Sequence, residues 1–175
     1  MTARRHSPDE LGALLAGVRR SSWRWECQGY YAVDAAEVDA WRAGRDVEQT
    51  DDDRAWLAYI GRLRDTGVPF ERVRMLTEPL TDYLRWMLDT THINVAAGED
   101  IRWIEQARAR RLGMPDYDFY LLDDERVAFL RFDDAAELVG VDVDDDVDIV
   151  RTHQHWRERV WPLATRHDDY IAGAR

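Results

Sequence analysis

The apolar positions of this chain change period several times, and each change predicts an element. Leu11, Leu14, Leu15 and Val18 recur at helical spacing behind Ser7-Pro-Asp-Glu10. This predicts a helix to about Arg20, with Ser7 as N-cap, Pro8 in the first turn and Glu10 closing a capping box. Trp23 to Tyr31 is aromatic-rich and fits a strand or a helix equally. Val33 to Trp41 reads as a second short helix, and Gly44 to Asp53 as a polar loop. Thr50 and the acids Asp51, Asp52 and Asp53 open a helix to about Asp65, with Trp56, Leu57, Ile60 and Leu63 on its face and Gly67 as its stop.

Phe70 to Leu76 alternates, with Phe70, Arg72 and Arg74 on one side and Val73 on the other, as a buried strand does. Pro79 starts a helix capped by Thr77 or Glu78, whose stripe is Leu80, Tyr83, Leu84, Met87 and Leu88. Asn94 to Gly98 reads as a turn and Asp100 to Glu105 as a strand. Asp118–Leu122 and Arg126–Phe132 form a hairpin joined at Asp123-Asp-Glu125, and Leu138–Val143 is a further strand. A last helix, opened by Asp144, Asp145 and Asp146, carries Ile149, His153, Trp156, Val160 and Leu163, with Pro162 interrupting it. The expected fold is α+β: a mostly antiparallel sheet of about four to five strands covered by helices, with N-terminal helices and a long C-terminal helix. The whole chain, 1–175, is expected to form one domain.

Composition narrows the chemistry. All 24 basic residues are arginine, so chemistry that requires a lysine is excluded, from Schiff bases to the P-loop and kinase lysines. Serine occurs only at Ser7, Ser21 and Ser22, without a Gly-x-Ser-x-Gly elbow. The ten glycines build no Gly-x-Gly-x-x-Gly loop. The single cysteine, Cys27, fits a reducing cytoplasm and a buried, inert role. No apolar run approaches the roughly 20 residues of a membrane span, and the N-terminus lacks the apolar core of a signal peptide. A net charge of −11 argues against direct nucleic-acid binding, yet leaves room for a basic protein partner.

Several runs together resemble a known family. They are Gly67-Val68, Val73-Arg74, Glu78-Pro-Leu-Thr-Asp-Tyr-Leu-Arg85, Asn94-Val-Ala-Ala-Gly-Glu99, Arg102-Trp103 and Asp118-Phe-Tyr-Leu-Leu-Asp-Asp124. The chain is similar to actinobacterial proteins of unknown function, in which Thr81 is expected as serine and Leu122 as phenylalanine. The all-arginine basic set fits GC-rich coding of that kind. The resemblance implies no enzyme activity, and a regulatory accessory role beside helix-turn-helix proteins. A fainter likeness, to half of a phospholipase D-like fold, lacks the catalytic His-x-Lys and so implies a non-catalytic relative.

The candidate ligand site is Arg74, Glu78, Asp82, Tyr83, Arg85, Asn94, Glu99 and Arg102. Its arginines could hold a carboxylate or phosphate bidentately. The competing reading is a structural network in which Glu78, Asp82 and Glu99 neutralise Arg74, Arg85 and Arg102. Asp142 to Asp148 alternates acids like a calcium loop, but lacks the sixth-position glycine and the twelfth-position glutamate, and reads as a helix N-terminus. His153 and His155 point apart on a helix, so with His167 and Asp168 they match no zinc motif, and His153 reads as a core histidine. Asp118, Asp123 and Asp124 read as hairpin acids rather than catalytic groups. Trp23, Trp25, Tyr30 and Tyr31 could line a pocket or a homodimer face, although core packing is the commoner fate.

The functional expectation is a non-enzymatic cytoplasmic regulatory or interaction module, an accessory to a helix-turn-helix regulator that senses a small anionic ligand. No catalytic residue, metal or cofactor is expected, nor any direct contact with nucleic acid or membrane. The alternative is a hydrolase-type enzyme working by Asp/Glu/His acid–base chemistry.

Overall fold

A computed structural model describes residues 4–46 and 49–173. The chain runs β1 (Arg4–His6), α1 (Leu11–Ala16), β2 (Ser22–Glu26), α2 (Ala35–Arg42), α3 (Asp51–Asp65), β3 (Phe70–Leu76), α4 (Asp82–Thr90), α5 (His92–Ala97), β4 (Asp100–Glu105), α6 (Gln106–Arg111), β5 (Phe119–Leu122), β6 (Arg126–Phe132), β7 (Leu138–Asp144), α7 (Val147–Val160), β8 (Thr165–Arg166) and α8 (His167–Gly173).

The strands form one eight-stranded sheet in the order β1-β7-β6-β5-β2-β3-β4-β8. β2, β3 and β4 run parallel, and every other neighbouring pair is antiparallel. The α+β class therefore stands, but the mostly antiparallel sheet of four to five strands does not. The physical reason is twofold. β1 and β8, at three and two residues, are too short to show a period. The strand–helix–strand order around β3 also imposes parallel pairs, because helical crossovers return the chain to the same end of the sheet.

Boundaries moved for local reasons. The first predicted helix is a 3₁₀ turn over Pro8–Glu10 followed by the short α1. The Glu10 carboxylate accepts from the Ser7 backbone N–H at 2.7 Å, as the capping box requires. The helix expected from Pro79 begins instead at Asp82, because the Thr81 hydroxyl accepts from the Leu84 N–H at 3.1 Å. The expected turn at 94–98 is the end of α5. α7 stops at Val160, ahead of a 3₁₀ turn containing Pro162, so the last helix is shorter than predicted. Of the expected loop at 44–53, positions 47 and 48 lie outside the described residues, as do 1–3 of the stretch read for a signal peptide. Asp51 to Asp53 already belong to α3.

Alternation along the central strands separates two faces. Trp23, Trp25, Val73, Phe119 and Leu121 pack beneath α6 and α7, against Ala109, Val150 and Val160. The other face carries two apolar clusters. In one, Leu15, Ile60 and Leu63 cover Phe70, Tyr120, Leu122 and Leu130. In the other, Val38, Tyr83, Leu84 and Met87 cover Leu76, Ile101 and Trp103. Between these clusters the sheet presents charge.

Candidate anion-binding cavity

Period-two alternation decides what lies between the clusters. With Trp23 and Trp25 turned to one face of β2, Arg24 and Glu26 must turn to the other. The parallel register sets Arg24 beside Arg72 and Glu26 beside Arg74. Four charged side chains thus share a small area of sheet, and a cavity of about 820 Å³ opens above them. Its walls include Tyr31, Asp34 and Glu37 from the α2 region, Trp56 and Leu57 from α3, and Tyr83 and Met87 from α4.

The charges are tightly bonded. The Arg72 Nε donates to Glu99 Oε1 at 2.6 Å and its Nη1 to Glu26 Oε1 at 2.7 Å. The Arg74 Nε donates to Glu26 Oε2, and its Nη1 to the Thr91 hydroxyl at 2.7 Å. Arg24 donates to the Tyr120 hydroxyl at 2.8 Å and lies 3.0 Å from Glu26 Oε1. Arg72 and Arg74 are only 5% and 7% exposed. Even so, neither Nη2 finds a hydrogen-bond acceptor among the described residues. The Arg24 Nε is also buried without a partner.

Protonation follows from this packing. Burial alone would raise the Glu26 carboxyl, but Arg24, Arg72 and Arg74 outweigh it and hold the group well below the usual carboxylate range. Asp118 behaves oppositely. Burial raises its carboxyl and the nearby Glu26 charge adds to this, against the opposing pull of Arg24. Its Oδ2 accepts from the Tyr31 hydroxyl at 2.5 Å and its Oδ1 from the Cys27 N–H at 3.0 Å. Burial, then Asp118, pushes the Cys27 thiol up, so this sulfur is a packed, protonated thiol. On the wall, the Tyr83 hydroxyl donates to Asp34 Oδ2 at 2.6 Å, and burial raises Asp34.

The eight residues singled out from sequence divide. Arg74 and Glu99 join the buried network, Asn94 donates to Glu99 Oε2 at 3.3 Å, and Tyr83 lines the cavity wall. Glu78 is exposed, and only its backbone N–H is engaged, by Gln106 at 2.9 Å. Asp82 pairs with Arg85 and with Arg42 on the outer side of α4. Arg102 turns to the opposite sheet face, where it pairs with Asp100 and stacks 3.7 Å over the Trp161 ring. Of the expected charge network, Asp82 does pair with Arg85 and Glu99 does neutralise a buried arginine, but that arginine is Arg72, Arg74 pairs with Glu26, and Glu78 takes no part.

Sequence reasoning missed Arg24, Glu26, Arg72, Thr91 and Tyr120. The signal was present: Trp-Arg-Trp-Glu at 23–26 and Arg-Val-Arg at 72–74 are two alternating runs with charge on one side. Asp118, read as a hairpin acid, lies buried beneath Tyr31, whereas Asp123 accepts from the backbone N–H groups of Arg19, Arg20 and Ser21. Most acids of the calcium-like run have partners: Asp142 with Arg5 and Arg131, Asp144 with the Asp146 N–H, Asp146 as the cap of α7 and Asp148 with Arg151. His153 packs among Phe119, Phe129 and Trp156, and His167 accepts from the Trp103 indole N–H at 3.0 Å. Among the described residues no group of three or more His, Cys, Asp or Glu could hold a metal ion, and no helix is long and apolar enough to cross a membrane.

Fold and cavity define a class: an α+β protein with one mixed sheet, whose helices enclose a charged cavity over the central strands. The chain belongs to the family described as a domain of unknown function (DUF6879), whose profile matches residues 9–172. No curated protein matches the sequence. The fold is similar to that of TrmBL2, described as an archaeal chromatin protein with a novel mode of DNA binding. The TM-score is 0.52 at 15% identity, over 95% of this chain and 54% of that one, so this chain spans about half its length. It is also similar to NucT from Helicobacter pylori, with a TM-score of 0.52 at 13% identity, over 94% of this chain and 98% of that one. At such identities the likeness is one of fold.

One expectation is corrected by these structural neighbours. Direct contact with nucleic acid was excluded on net charge, yet a protein of this fold is described as DNA-binding. Net charge describes a whole surface, whereas a phosphate backbone meets a local patch.

Proposed function

We propose that the protein is a non-enzymatic regulatory module, an accessory to a helix-turn-helix regulator, that senses a small anionic ligand in the cavity. One observation carries this reading: Arg72 and Arg74 are buried, held rigid by Glu26, Glu99 and Thr91, and each keeps an Nη2 without an acceptor among the described residues. A guanidinium fixed on one edge and vacant on the other is prepared for an oxyanion. Arg24, Arg72 and Arg74 set against Glu26 and Glu99 leave one positive charge in excess when Asp118 is protonated. The hydrolase alternative has less support, since none of the residues lining the cavity is a histidine and Cys27 is a protonated thiol. The missing His-x-Lys fits the same reading, with the chain as a non-catalytic relative of the phospholipase D-like fold. The test is thermal unfolding with acetate, benzoate and inorganic phosphate. A bound anion at 100 times its Kd adds about 2.7 kcal/mol. No midpoint shift with any of the three in wild type, or a shift undiminished in Arg74→Gln, would overturn the proposal.

A second reading rests on a separate observation. Arg108, Arg110 and Arg111 are exposed on α6, and the Arg159 guanidinium lies beside Gly113 at the end of that helix. None of the four forms an ion pair among the described residues. Such a fan of cations suits a phosphate backbone. It predicts weak, salt-dependent binding of a 20-base-pair duplex, with a slope of roughly −3 for three to four phosphate contacts. Anisotropy unchanged at low salt would sink this reading and leave the first intact.

A further inference from the structure

The cavity is not uniformly basic. Above the arginine floor its lining carries Asp9, Asp34, Glu37, Asp53 and Glu137. Glu37 stands out among these. Neither of its oxygens accepts a hydrogen bond from a described residue, and Oε2 is shut off from solvent without a partner. Oε2 is packed against protein, so Glu37 would meet an arriving donor through Oε1, which has no described donor either. The cavity therefore holds unmet donors on its floor, at Arg72 and Arg74, and an unmet acceptor on its α2 wall. The same lining includes the Tyr31 ring, Leu130 and Phe132.

We propose that the ligand is a zwitterion: an oxyanion head for the arginines, an apolar body, and an amine for Glu37. This deepens the anion-sensing reading above and rests on it. A wholly anionic molecule would meet repulsion from the acidic lining, and a wholly cationic one would face the floor arginines. Opposite charges at the two ends satisfy both. The cavity, at about 820 Å³, falls within the range of roughly 300–1,000 Å³ typical of small-molecule sites.

The experiment uses the full chain and matched probes in calorimetric titrations. Phenylalanine, 4-(aminomethyl)benzoate and 6-aminohexanoate carry both charges at different spacings. Benzoate and hexanoate carry only the anion, and benzylamine only the amine. At least one zwitterion is expected to bind tenfold or more tightly than its matching acid. Glu37→Gln is expected to erase that gain, and benzoate, freed of one acidic repulsion, is expected to bind no more weakly than before. Acids that bind as well as every zwitterion, or a gain that survives Glu37→Gln, would overturn this inference but leave the anion site standing. Tightest binding by benzylamine would overturn both.

Discussion

Glu26 stands opposite Arg74 in the parallel β2–β3 register, and its carboxylate takes hydrogen bonds from Arg74 and Arg72 together. A single acid thus ties two arginines of β3 to β2 and is the main counter-charge to the cavity floor. Replacing it by Gln leaves buried guanidinium groups under-neutralised. Losing one partner of a buried pair costs about 3–5 kcal/mol. Urea unfolding followed by tryptophan fluorescence should show a loss of that size, and a loss below 1 kcal/mol would deny Glu26 this role.

Arg85 provides the contrast. Its bond to Asp82 lies on the outer side of α4, with both side chains about half exposed. Exposed pairs contribute about 0–1 kcal/mol. Arg85→Ala should therefore leave the unfolding midpoint nearly unchanged and probe binding in the cavity intact. A loss above 2 kcal/mol would show that the outer pair matters more than its exposure implies.

Asp118 gives a signed pH prediction. Its folded-state value lies above the ordinary 3.8, through burial and then Glu26. A raised carboxyl contributes stability that is complete below the unfolded value and is lost as pH rises through the folded one. Asp118→Asn, which cannot ionise, should therefore gain on wild type as pH rises from about 4, its ordinary value. Parallel stability curves for the two proteins above pH 4 would contradict the buried, raised carboxyl.

Gly98 joins α5 to β4 at φ 125°, and a Cβ there would stand 2.8 Å from the Arg64 Cβ. Backbone in that region costs a side chain about 1–3 kcal/mol, and the clash adds to it. Gly98→Ala should destabilise the protein and displace the adjoining Glu99 from Arg72. The displacement is readable as weaker benzoate binding in the fraction that remains folded.

Much of this was legible from the chain and some was not. The Phe70–Leu76 alternation revealed both a strand and the shared side of Arg72 and Arg74. The stripe around Tyr83 revealed α4, with its start misplaced because Pro79 is a stronger written signal than the Thr81 hydroxyl. What sequence could not supply was the partner strand. Glu78, Asp82 and Arg85 were grouped with Arg74 because they follow it closely, whereas its carboxylate partner, Glu26, lies 48 positions away and reaches it only through sheet register. Trp23 to Glu26 was ambiguous because both of its faces are buried, one under apolar helices and one under charge.

The sheet's two outermost strands have a bearing on self-association. β1 spans three residues and includes Arg4 and Arg5, while β8 spans two and ends in Arg166. Short, charged borders are a known defence against strand-to-strand stacking between molecules. A second copy would find little open backbone to extend, so pairing of this chain with itself would have to use helices and loops. In a protein without lysine, the usual gatekeeper of such borders, arginine fills that office.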